Sequence, residues 1–72
     1  MPLYHLDLVD SNAVSDEGRV ELSDDIAAMD AAAALAKRLL QERPELKNRH
    51  YAILVTNEHG DEICRIPLDI IH

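Results

Sequence analysis

Four histidines, His5, His50, His59 and His72, are the residues of this chain best suited to hold a metal or carry a proton near neutral pH. No two of them stand at the spacing that puts paired ligands on one helix face or in one tight loop. His5 and His50 fall in different candidate strands and meet only if those strands pair, whereas His59 lies in a turn and His72 is the last residue given. Their spacing reads as solvated surface histidines, and no metal site is expected.

Calcium chemistry would need the acidic residues at the spacing of a binding loop. Asp10, Asn12, Asp16, Gly18 and Glu21 fall at positions 1, 3, 7, 9 and 12 of an EF-hand frame. Position 5 is Val14 and the position that needs glycine is Ser15, so a ligand and the sharp turn are both missing. Asp16-Glu17 and Asp24-Asp25 are adjacent carboxylates in a loop and a first helical turn, where water keeps them ordinary acids.

Nucleophilic chemistry finds no better footing. Cys64 sits inside an apolar strand, a place where thiols are buried, inert and high in pKa. Ser11, Ser15 and Ser23 are accounted for by turns and caps. With only Gly18 and Gly60 there is no glycine-rich phosphate loop. The expectation is a protein that is not an enzyme, with no catalytic residues and no cofactor.

Whatever these residues do, a small scaffold must position them. Seventy-two residues make one domain, 1–72. A chain of this size buries only about 60% of the surface its unfolded form exposes. A net stability of about 4–11 kcal/mol would be typical, little enough that a subunit interface could supply a large share. Apolar residues at 47% argue against disorder. Two tyrosines with no Phe or Trp argue against pockets that stack bases or flat cofactors.

Fourteen acidic residues oppose seven Lys and Arg, a formal charge of −7 that repels a phosphate backbone. Lys37, Arg38, Arg43, Lys47, Arg49 and His50 are gathered in one third of the chain, where cations offset a helix dipole and keep a loop solvated. No nucleic-acid partner is expected. One cysteine excludes an intramolecular disulfide and fits a reducing cytoplasm. No run approaches the about 18 apolar residues of a membrane span, and no basic-then-apolar leader opens the sequence. A cytoplasmic protein with no membrane partner is the expectation.

The rhythm of the chain changes at Ser23. Before it, Tyr4, Leu6 and Leu8 alternate with His5 and Asp7, predicting a strand over Leu3–Val9. Asp10–Gly18, rich in Ser, Asn, Asp and Gly, reads as a long connection whose Gly18 re-enters a hairpin with positive φ. Arg19–Leu22 reads as the short return strand. Ser23 is the expected N-cap. Beyond it Ala28, Met29, Ala32, Ala33, Leu35, Ala36, Leu39 and Leu40 share one half of a helical wheel, and Pro44 stops the helix near Glu42.

Alternation returns over His50–Thr56, a turn follows at Asn57–Asp61 with Gly60 left-handed, and Glu62–Pro67 forms the last strand. Pro67 marks that strand as a sheet edge. The result is an α+β fold, β-β-α-β-β, with a four-stranded, mostly antiparallel sheet and one amphipathic helix on one face. His5, Asp7, Glu62 and Arg65 suggest a partly polar second face, with Leu3, Val9, Leu54 and Ile66 as an exposed apolar patch. Which strand face meets the helix is left open by period alone. Leu68, Ile70 and Ile71 make an apolar tail, 68–72, that either folds under the helix or presses on a partner.

Two stretches carry a family resemblance. Met1-Pro2-Leu3-Tyr4-His5-Leu6, with Asp16-Glu17-Gly18-Arg19-Val20-Glu21-Leu22 ahead of an Ala-rich helix, resembles a family of short bacterial proteins catalogued as domain of unknown function 6894. Val55-Thr56-Asn57-Glu58-His59-Gly60 and Ile66-Pro67 extend the likeness to roughly the whole chain. Asn57 stands where that family commonly has Asp, and Met29-Asp30-Ala31-Ala32 where a Glu-Ala pair is common. The resemblance implies a small, stand-alone, mostly proteobacterial protein with no assigned activity and no site residues to carry over. The hairpin and alanine-spaced helix are also similar to small antitoxin domains that cover a basic toxin surface, a likeness of fold alone.

Three functional expectations follow. The first is a non-enzymatic protein-interaction or homo-oligomerisation module, a homodimer or a complex with an unidentified protein, formed through the last hairpin and Ile66, Leu68, Ile70 and Ile71. The second is an acidic, antitoxin-like regulatory partner that neutralises a basic protein. The third is a small-ligand or metal-binding domain using the sheet face at His5 and His50.

Overall fold

The computed structural model describes residues 2–10 and 12–70. Its elements run β1 (Leu3–Val9), β2 (Val14–Glu21), α1 (Asp25–Glu42), a 3-10 turn (Pro44–Asn48), β3 (Ala52–Asn57), β4 (Glu62–Pro67) and a last 3-10 turn (Leu68–Ile70). The strands form one sheet in the order β2-β1-β3-β4, with every neighbour antiparallel. This is the α+β, β-β-α-β-β arrangement with the helix on one face.

The strand registers settle which face meets the helix. Leu8 lies opposite Ile53 and Leu6 opposite Val55, and Ile53 and Val55 are fully buried with Ala28, Ala32 and Ala36 of α1. Those alanines recur every four residues, so a smooth helical ridge lets the backbone approach the sheet closely. Leu35, Leu39, Leu46, Leu68 and Tyr4 complete the core. Met29, placed by the wheel on the buried side, is 45% exposed. It lies at the border of the apolar stripe, beyond the reach of the sheet.

The first hairpin departs from expectation. The long loop over Asp10–Gly18 is a four-residue connection, 10–13, and β2 already begins at Val14. Asp10 closes it: its backbone N–H donates to the carbonyl of Ala13, and its Oδ1 accepts from the backbone N–H groups of Asn12 at 2.8 Å and Ala13 at 2.7 Å. Gly18, with φ of 115°, is not in the turn but inside β2, beside a bulge where the register with Leu6 and Asp7 shifts. An edge strand that the helix does not cover needs no apolar alternation, so its polar residues imitate a loop.

Smaller corrections follow the same physics. Asp24, rather than Ser23, caps α1, its Oδ1 accepting from the N–H of Ala27 at 2.8 Å. The last helical turn carries no cation; Arg43 is the C-cap, and its backbone N–H donates to the carbonyl of Leu39. Leu46, in the 3-10 turn after Pro44, is 2% exposed and belongs to the core, although that segment reads as a solvated connection. The last turn forms as expected, with Gly60 at φ 85°. There the Oδ1 of Asn57 accepts from the N–H groups of His59 and Asp61, a task an Asp would perform equally.

Candidate functional site

β1 and β2 bring three metal-ligating side chains together on the face away from the helix. His5 and Asp7 stand two residues apart on β1 and so share that face. Asp16 of β2 lies directly opposite Asp7, because the bulge at Glu17–Gly18 resets the register between them. His5 Nε2 is 2.9 Å from Asp16 Oδ1 and 3.3 Å from Asp7 Oδ1. Asp16 Oδ1 also accepts the backbone N–H of Gly18 at 2.7 Å. The His5 imidazole and then that N–H hold the Asp16 carboxyl below the usual carboxylate range.

Beside the cluster, Leu3, Tyr4, His5, Arg19 and Glu58 line a shallow cleft of about 220 Å³. Its lining thus includes one cationic and one anionic side chain, Arg19 and Glu58. His50 does not join His5. His5 pairs with Thr56, six positions along the chain from His50, or about 20 Å at strand rise. His59 is exposed in the β3–β4 turn, and His72 lies outside the described residues. Sequence reasoning sought histidine pairs and missed a histidine with two carboxylates. The signal lay in His5-x-Asp7, but Asp16 could not be placed while Asp10–Gly18 read as a loop and the return strand began only at Arg19.

The residues expected at an interface divide. Leu68 is fully buried in the chain's own core, its N–H donating to the carbonyl of Tyr51 at 2.9 Å. The exposed patch expected of Leu3, Val9, Leu54 and Ile66 does not form: Val9 is buried, Leu3 and Leu54 are half-buried, and Ile66 pairs with buried Ile53 and packs half-buried against the core. Ile70 is 62% exposed, and Ile71 lies outside the described residues.

A second apolar surface was not anticipated. On the β2 side of α1, a groove of about 410 Å³ separates Ala31, Ala34 and Arg38 from Glu17 and Val20. The opposite flank of the helix, by its spacing, carries Ile26, Met29, Ala33 and Leu40 toward the β4 edge. Ile26 and Met29 are exposed, and β4 adds the half-buried Ile63 and Cys64. The Cys64 thiol is pushed up in pKa by partial burial, with Glu62 and Asp25 adding to the shift. On the other face of β4, Arg65 Nη2 reaches Glu62 Oε1 at 3.5 Å. No helix among the described residues is long and apolar enough to cross a membrane.

No curated protein and no solved structure matches this sequence. A family model does match, over residues 3–69, and by it the chain belongs to the family described as Domain of unknown function (DUF6894).

Proposed function

We propose that this DUF6894 protein is a homo-oligomerisation module whose second copy docks along the β4 edge and the adjoining flank of α1. The observation that carries the reading is the apolar strip of Ile26, Met29 and Ile63 beside a strand whose outer edge has no partner within the chain. An open edge offers unpaired N–H and C=O groups to another strand. The occupant is a second copy because β4 complements itself. In an antiparallel β4–β4 pair, Glu62 of each copy can stand opposite Arg65 of the other, and two-fold symmetry repeats the contact.

The opposite sheet edge is less suited to pairing. Both edge strands hold a register irregularity, but β2 carries four charged residues, Asp16, Glu17, Arg19 and Glu21, against Glu62 and Arg65 on β4, and edge charge discourages edge-to-edge association. We place the protein in the cytoplasm of a bacterial cell, in keeping with its one free thiol.

Charge reversal tests the docking mode. Arg65→Glu alone and Glu62→Arg alone should each weaken self-association, and a mixture of the two variants should restore a mixed dimer. Variants that associate as strongly alone as the parent protein would contradict β4 pairing.

A further inference from the structure

We propose that His5, Asp7 and Asp16 bind one divalent transition-metal ion of the zinc class on the open face of the sheet. Three observations converge on it. The donor set is a borderline imidazole nitrogen with two carboxylates from adjacent strands, all three ligand atoms within 4.8 Å of one another. The separations of 2.9 and 3.3 Å are close to the about 3.4 Å edge of a tetrahedron built on metal–ligand bonds near 2.1 Å. Small outward movements would therefore admit an ion, leaving the solvent side for water.

The hydrogen-bond inventory supplies the third observation. Asp7 and Asp16 are like charges placed directly opposite, an arrangement that destabilises a strand pair. The Asp7 side chain is only 13% exposed, and its ion pair is with the same His5 Nε2 that Asp16 engages more closely. A single ring nitrogen has one proton to donate and cannot satisfy both carboxylates. A cation between them answers both charges at once, with His5 Nε2 turning from donor to ligand as the neutral ring carries its proton on Nδ1 instead. Of the residues at EF-hand-like spacing only Asp16 takes part; Asp10 closes the hairpin turn by accepting the backbone N–H groups of Asn12 and Ala13.

Zinc chloride titrated into untagged protein, followed by calorimetry and by the thermal midpoint, tests the proposal. One ion per chain should bind and raise the midpoint. The isosteric variants Asp7→Asn and Asp16→Asn should each weaken binding at least tenfold, while His59→Ala leaves it unchanged. Circular dichroism of the metal-free variants separates lost ligation from lost folding, and His5→Gln offers an independent ligand deletion. No heat and no midpoint shift in the parent protein would overturn the site, as would binding that survives all three ligand variants. The cluster lies on the opposite sheet edge from β4, so a failure here leaves the oligomerisation reading standing, and the reverse.

Discussion

Single side chains in this protein do their structural work by supplying acceptors to backbone or hydroxyl donors. Tyr4 shows how one residue can join two elements: buried in the core of β1, it donates its hydroxyl to Asp25 Oδ1 at 2.7 Å, on the first turn of α1. That hydrogen bond, then burial, pushes the phenol up to about 12 from its ordinary value of 10.0. A group whose pKa is raised by folding stabilises the fold fully below its unfolded pKa and loses that contribution as pH rises toward the folded value. Stability should therefore fall between pH 10 and 12, and Tyr4→Phe should flatten this part of the profile in urea unfolding. An alkaline slope of equal size in the variant would show that the bond contributes nothing to it. Asp10 behaves with the opposite sign: the Asn12 N–H, followed by that of Ala13 against some burial, lowers its pKa. Its contribution is present above the usual aspartate pKa and fades as acid protonates it. Asp10→Ala should lose acid sensitivity below about pH 4. At this scale the sequence was partly legible. Turn chemistry at Asn57 and Gly60 could be read because it is local, whereas the Tyr4–Asp25 bond links residues 21 apart and has no local signature.

Elements were readable wherever a face is buried and unreadable where it is not. β1, β3 and α1 touch the core, so their apolar spacing records their geometry. β2 lies outside the cover of the helix, and its Ser, Asp and Gly residues gave no periodic signal. Reading the return strand only from Arg19 also hid the His5–Asp7–Asp16 cluster, because Asp16 lies in the first half of β2 and faces Asp7 only through the bulged register. The Pro44–Asn48 turn was overlooked for a different reason: its one apolar residue, Leu46, has no apolar neighbour at a helical or strand period within that segment. Burial at 2% exposure makes it part of the core all the same. Leu46→Ala should cost about 2–5 kcal/mol in chemical unfolding, the range for truncating a buried leucine. A loss below about 0.5 kcal/mol, typical of surface positions, would mean that the turn does not anchor the end of the helix.

As a whole, the molecule has one well-covered sheet face and two edges of different character. Both strands hold a register irregularity, but β2 is the more charged, whereas β4 is shorter and continuous with the exposed Ile26 and Met29. A domain this small gains proportionally more from covering such a strip than a large one would. The tail, read from sequence as either folding under the helix or pressing on a partner, sends Leu68 into the chain's own core and leaves Ile70 exposed, while the helix flank offers a further apolar surface. Sequence patterning could mark both segments as apolar, but only the three-dimensional arrangement decides which one the chain keeps for itself. The most direct measurement is sedimentation equilibrium of untagged protein from low to high micromolar concentration, beside a Met29→Glu variant. The parent should move from monomer to dimer across that range, with the variant remaining monomeric. A parent that stays monomeric throughout, or a variant that dimerises equally well, would contradict docking along β4 and α1.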